Sequence, residues 1–159
     1  MKVINIHKRI IDRPVTEVSK LMYSLATKED QIWPNEKWPA MRFKYGLVVE
    51  SEGGHGMIRY KIESYQPRER IKFRFLKPRG FIGFHQLEFK AVNAKQTKVM
   101  HSINMRTTGI ATLKWIVVIR SLHNALIEDA FDKIENLYLI QNKQSTWSVW
   151  VKLWRFLLK

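Results

Sequence analysis

From Thr112 to Asn142 the chain reads TLKWIVVIRSLHNALIEDAFDKIENLYLIQN, and this stretch decides the fold. Trp115, Ile119, Leu122, Leu126, Ala130 and Leu137 recur at helical spacing on one stripe, widened by Ile116, Ile127 and Ile134. Glu128, Asp132 and Glu135 fall on the opposite side. Ahead of this helix, from about Met41 to Thr107, apolar and polar residues alternate, which is the period of a sheet with one buried face. Such a sheet needs a cover, and the late helix supplies it. A sheet curved over one helix leaves a cavity, and cavities hold small apolar ligands.

Working outward, Lys2–Asp12 alternates as a strand, with Ile4, Ile6 and Ile10 on one side and Asn5, His7 and Arg9 on the other. Pro14 opens a helix whose apolar stripe is Val15, Val18, Leu21, Met22 and Leu25. Thr27–Trp38, which includes Trp33 and Pro34, reads as a short helix or loop ending at Pro39. Strands are predicted at about Arg42–Glu50, Met57–Gln66, Arg70–Leu76, Phe84–Val92 and Thr97–Arg106. The breaks between them carry turn chemistry: Gly53-Gly54-His55-Gly56, Gln66-Pro67-Arg68, Pro78-Arg79-Gly80 and Asn93-Ala94-Lys95.

Composition sets bounds. One domain's worth of chain, 159 residues with 45% hydrophobic content, argues against disorder. Cysteine is absent, so disulfides and thiolate metal sites are excluded. The N-terminal MKVINIHKRIIDRP has charges within its apolar stretch and no small-residue cleavage site, unlike a signal peptide. No uncharged apolar run is long enough for an ordinary membrane span, so a cytoplasmic protein is expected. The net charge of +14 implies attraction to polyanions. Acidic residues are missing from Phe89 to Ile127 and again from Asn136 onward.

Three stretches resemble the START-like, birch-pollen-allergen-like helix-grip superfamily, often called SRPBCC. They are His7–Pro14, a strand ending in Asp-x-Pro; Gly53–Tyr60 running through Tyr65-Gln66-Pro67 to Phe73-Arg74-Phe75; and Leu122–Asp129 on the last helix. The likeness spans residues 1–142 and implies an α+β helix-grip fold, an antiparallel curved sheet wrapped on a long C-terminal helix. It also implies a pocket for sterols, lipids, polyketides or hormones, and in some members cyclase or dehydratase activity. Residues 143–159 lie outside the pattern as an amphipathic tail.

Histidine parity gives the sharpest expectations. His85 shares a side with Leu87 and Phe89, His101 with Val99, Ile103 and Met105, and His123 lies within the apolar arc of the helix. All three are expected inside; His55 sits at a hairpin mouth, and His7 is expected outside. An interior histidine serves either as a proton shuttle or as a neutral group lining the cavity. Glu128 and Asp129 are expected to project away from His123, and Glu63 and Glu88 outward from the sheet, so a catalytic partner would have to come from the sheet's interior side, which offers mainly Tyr60. No metal site is expected, because no HxxxH pair occurs and His85 and Glu88, three apart on a strand, point to opposite faces. No cofactor is implied. GGHG lacks the phosphate-loop pattern and reads as a turn. Phe81 and Phe84 in the Pro78–Gly83 loop form either a lid over the cavity or a satellite cluster beneath the loop.

The expected function is therefore binding of a hydrophobic small molecule or lipid by Trp38, Tyr60, Phe73, Phe75, His85, Phe89, His101, Met105, Trp115, Ile119 and His123. The alternatives are a polyketide cyclase or dehydratase using the cavity histidines, and a basic nucleic-acid-binding domain. The latter is disfavoured, because Arg59, Lys61, Arg70, Lys72 and Arg74 share a face without stacking rings other than Tyr65. In the tail, Ser148, Lys152, Arg155 and Lys159 form a narrow polar stripe, with Trp147, Val149, Trp150, Val151, Leu153, Trp154, Phe156, Leu157 and Leu158 around it. Two readings of the tail stand. In one, Trp147, Trp150, Lys152, Trp154 and Arg155 dock on an anionic membrane, making the protein peripheral; in the other, the tail packs on the domain or on a second copy in a homodimer.

Overall fold

A computed structural model of the chain describes residues 1–158. The strands are β1 (Lys2–Ile11), β2 (Arg42–Phe43), β3 (Glu52–His55), β4 (Ile58–Gln66), β5 (Arg70–Lys77), β6 (Phe81–Asn93) and β7 (Gln96–Thr107). They form one curved antiparallel sheet in the order β1-β7-β6-β5-β4-β3-β2. The N-terminal strand thus lies beside the last one, paired without a break from Lys2↔Arg106 to Ile11↔Thr97. A short helix α1 (Val15–Val18) and a 3-10 turn (Ser19–Ser24) follow β1, and Val18, Leu21, Met22 and Leu25 are buried.

The covering helix runs from Ile110 to Asn136, 27 residues. It is built of α2 (Ile110–Lys114), a π-helical segment Trp115–Ile119, and α3 (Arg120–Asn136). It stops short of the expected Asn142 because the Asn136 side chain clamps the reversing chain: its amide donates to the Lys143 carbonyl and its oxygen accepts from the Lys143 amide, at 2.9 and 2.8 Å. Leu137, placed on the apolar stripe by spacing, is consequently exposed. A last helix, α4 (Val149–Leu157), is capped by the Ser148 hydroxyl and packs back on the domain.

Several expectations are corrected. Only Arg42–Phe43 of the predicted first hairpin strand pairs; Lys44–Ser51 turns away through Gly46 and Glu50, both at positive φ, before β3 begins. Gly53 and Gly54 lie within β3, and the turn falls at Gly56-Met57. Thr27–Trp38 is not helical; it folds around Asp30, whose carboxylate accepts from the amides of Ala26, Ile32 and Trp33. Burial raises the Asp30 carboxyl above its usual value despite these bonds. Phe81 forms no lid and belongs to a second, smaller apolar cluster, the other of the two expectations. It begins β6 and packs with Val3, Ile103, Met105, Ala111 and Trp115, while Phe84 lies under the Lys72 ammonium 3.9 Å away.

The parity of β1 is inverted. Ile4 and Ile6 are 57% and 51% exposed, and Asn5, His7 and Arg9 turn toward α3. The side of α3 that looked solvated is what they meet. Arg9 bonds Asp132 at 3.1 Å, Glu135 at 2.6 Å and Glu128 at 2.9 Å, and His7 Nδ1 lies 2.7 Å from Glu128. Asp129, expected to point outward, is 2% exposed and accepts from Trp38 Nε1, Trp147 Nε1 and Lys37 Nζ, each at 2.8 Å. Buried carboxylates are tolerated only when paired in this way. Glu88 keeps its outward parity between Arg70 and Met100, yet it is buried and pairs with Lys90 at 3.3 Å.

Candidate ligand-binding cavity

A cavity of about 250 Å³ lies between the sheet and the long helix. The sheet contributes Phe75, Phe81, His85, His101 and Ile103; the helix contributes Trp115, Val118, Ile119, Leu122, His123, Leu126 and Ile127. Trp33, Trp38 and Pro39 from the Asp30 loop and His55–Ile58 from the β3–β4 turn form the rim, and Arg155 and Leu158 of the tail close over it.

Of the eleven residues named from sequence, Trp38, Phe75, His85, His101, Trp115, Ile119 and His123 line this space. Tyr60, Phe73, Phe89 and Met105 do not. Their inward parity is right, but each is packed on all sides. The Tyr60 ring is held by Phe43, His55, Phe73 and His85, with centroids 4.7 to 5.9 Å apart, which fills the β4–β5 end of the sheet. Met105 belongs to the cluster with Val3 and Phe81. Sequence reasoning missed His55, Trp33, Leu122, Arg155 and Leu158. His55 stands out in the sequence only as a histidine in a hairpin, and nothing in the tail's periodicity says where it docks.

The tail is positioned by the acidic side of α3. Lys143 Nζ donates to Glu135, the Ser145 amide to Asp132, and the Trp147 indole to Asp129. Arg155 then reaches inward, donating to the Lys37 carbonyl at 2.6 Å with its guanidinium 4.6 Å above the Trp38 ring. Two residues named for membrane contact, Trp147 and Arg155, therefore face the domain.

Apart from Arg155 at the rim, the polar side chains of the cavity are imidazoles. His85 Nδ1 lies 3.2 Å from His101 Nε2, the His101 and His123 rings are 5.0 Å apart, and His7 stands edge-on to His123 at 5.8 Å. His85 Nε2, His101 Nδ1 and both nitrogens of His123 are buried without a protein partner. Burial, the largest cause, pulls His123 down to about 3 and His55 to about 4, helped by neighbouring histidines and by Arg59 respectively. Burial also holds His85 and His101 well below the usual imidazole value. All four are neutral at pH 7, so each offers one donor and one acceptor. Such a set can orient a hydroxyl or carbonyl within an apolar pocket. A carboxylate partner inside the cavity is missing among the described residues, because Glu128 is taken by His7 and Arg9, and Asp129 by the two indoles and Lys37. Among the described residues, no group of three or more potential ligands could hold a metal ion. Outside, Glu63 pairs with Lys72 and Arg74 and partly neutralises the basic face of β4 and β5.

No family model and no curated protein matches the sequence. Solved structures do match in fold. A protein from Nitrosospira multiformis superposes with a TM-score of 0.64 at 13% identity, covering 87% of this chain and 97% of its own. CalU16 from Micromonospora echinospora gives 0.59 at 12% identity, covering 99% and 92%. Norcoclaurine synthase from Thalictrum flavum, in complex with dopamine and hydroxybenzaldehyde, gives 0.65 at 10% identity, covering 91% and 90%. At these identities the likeness is one of fold, and the fold is the α+β helix grip.

Proposed function

We propose that this protein binds a compact hydrophobic molecule with one polar end, a small aromatic compound or a single-chain lipid, in the cavity between sheet and helix. The observation that carries the reading is an apolar chamber containing three buried imidazoles, four of whose nitrogens lack a protein partner: His85 Nε2, His101 Nδ1 and both of His123. Unpaired buried polar atoms cost roughly 1–3 kcal/mol each, a cost that a ligand hydroxyl or carbonyl would offset. The volume, about 250 Å³, sits just below the range of roughly 300–1,000 Å³ for ligand sites, which favours a compact occupant. Norcoclaurine synthase, on the same fold, was solved with two small aromatic molecules, which supports the class of ligand.

The 3.2 Å contact between His85 and His101 favours a second reading, proton transfer of the cyclase or dehydratase kind. It lacks an acid to pair with, so binding without chemistry is preferred. The test is titration with a polarity-sensitive fluorescent probe. Saturable one-to-one binding is expected, lost in Ile119→Glu with the circular dichroism unchanged. Equal binding by the folded Ile119→Glu variant would place the probe elsewhere and overturn the reading.

A further inference from the structure

The tail helix leaves most of its apolar surface in solvent. A helix that packs on its own domain is expected to bury its apolar face and leave its polar stripe in solvent. Here Val151 and Arg155 face the domain, and Phe156 is 75% and Leu153 45% exposed, alongside Val149 and Leu157. The apolar surface does not stop there. The Val117 carbonyl, in the π-helical segment, accepts from the Trp150 indole at 2.8 Å, which seats α4 against the first turns of the long helix. Those turns expose Ile110 (64%), Leu113 (56%) and Ile116, one face at helical spacing. An apolar 18-residue window of this helix is only 22% buried.

The charge around the patch has one sign. Lys114, Arg120 and Lys152 are exposed and, among the described residues, form no ion pair. No acidic residue occurs from Phe89 to Ile127 or from Asn136 onward, so both elements are free of negative charge wherever they meet solvent. We propose that this two-element face, α4 together with the first turns of the long helix, docks on an anionic lipid bilayer. Apolar side chains would enter the boundary between headgroups and acyl chains, and the flanking cations would meet the phosphates and carboxylates. A second copy of the chain fits less well. A two-fold interface would set this basic face against the same basic face of the other copy, with no carboxylate on it to offset Lys114, Arg120 and Lys152. The docking face is the opposite side of α4 from Arg155 and the cavity, so this surface stands independently of what the cavity holds.

The experiment is co-sedimentation of the full chain with vesicles of equal parts phosphatidylcholine and phosphatidylserine, with phosphatidylcholine vesicles and a salt series alongside. Binding is expected to the mixed vesicles, to fall with salt, and to drop roughly tenfold or more in Leu153→Glu/Phe156→Glu, whose positions are exposed and leave the fold intact. Leu113→Glu, on the other element, should weaken binding as well. Ile119→Glu, a cavity variant, should bind vesicles like the wild type. Circular dichroism reports whether each variant is folded, and probe affinity does so for the tail and Leu113 variants, which leave the cavity walls untouched. Failure of the wild type to bind, or equal binding by folded Leu153→Glu/Phe156→Glu, would overturn the proposal. So would a homodimer in sedimentation velocity that Phe156→Glu dissociates without changing vesicle binding.

Discussion

Lowering the pH from 7 to 5.5 should cost this fold a large part of its stability. His55, His85, His101 and His123 all sit in the folded protein with values well below 6.5, burial being the leading cause for each. Unfolding returns them to ordinary behaviour, so below pH 6.5 the unfolded chain binds protons that the folded one refuses. Stability is therefore full above 6.5 and falls as pH drops toward the folded values. The loss between pH 7 and 5.5 is about 1 kcal/mol for one imidazole held well below 6.5, and several kcal/mol for the four together. It compares with a typical total of about 5–15 kcal/mol for a domain. Carboxylates with ordinary values near 4 stay ionised across this window, and Asp30, raised by burial, acts in the opposite sense at lower pH. Urea unfolding followed by tryptophan fluorescence at several pH values gives the slope directly. A drop of stability with acid approaching four protons is expected, falling to about three in a folded His101→Leu variant. A stability that stays level from pH 7 to 5.5 would refute the neutral, buried histidine cluster.

Other substitutions test how the tail and β1 are held. Asp129→Asn removes the charge that the Trp38 and Trp147 indoles and Lys37 share, and should cost about 2–3 kcal/mol in urea unfolding. The same variant should show earlier proteolytic cleavage between residues 143 and 148, the strap that links the long helix to α4, because its Trp147 anchor is weakened. Arg9→Met leaves Asp132 and Glu135 with Lys143 and the Ser145 amide as remaining partners, and should cost about 2–4 kcal/mol, allowing for the partial exposure of the Arg9 side chain. An Arg9→Met protein as stable as the wild type would mean that the carboxylates are held by the strap alone.

Much of the sheet and the covering helix was legible because local periodicity and turn chemistry carried it. Five of the seven strands lie where alternation and the glycine, proline and asparagine breaks place them. The cavity walls contributed by His85, His101, Trp115, Ile119 and His123 follow from the same parity, since each lies on an element with one buried face. What parity could not decide was which inward residues border empty space and which are packed solid. Tyr60 and Phe73 share their inward side with Phe75, and only the aromatic filling by Phe43 and His55 separates them.

The inversion of β1 has a different cause, and it ties the molecule together. Period two says that Ile4 and Ile6 oppose His7 and Arg9, but not which set is inside. The choice was made by residues more than a hundred positions away. The carboxylates at 128, 132 and 135 need cations, and Arg9 and His7 are the ones within reach. Burying Ile4 and Ile6 instead would strand those carboxylates, at several kcal/mol for each uncompensated charge. The same acidic side of α3 also takes Lys143, Ser145 and Trp147. It therefore fixes both the first strand and the tail. A side of the helix that looked solvated in sequence is in fact the joint on which the N-terminal strand and the cavity's cover are hung, and the apolar residues it displaces, Ile4 and Ile6 at one end and Phe156 and Leu153 at the other, are the ones left facing outward.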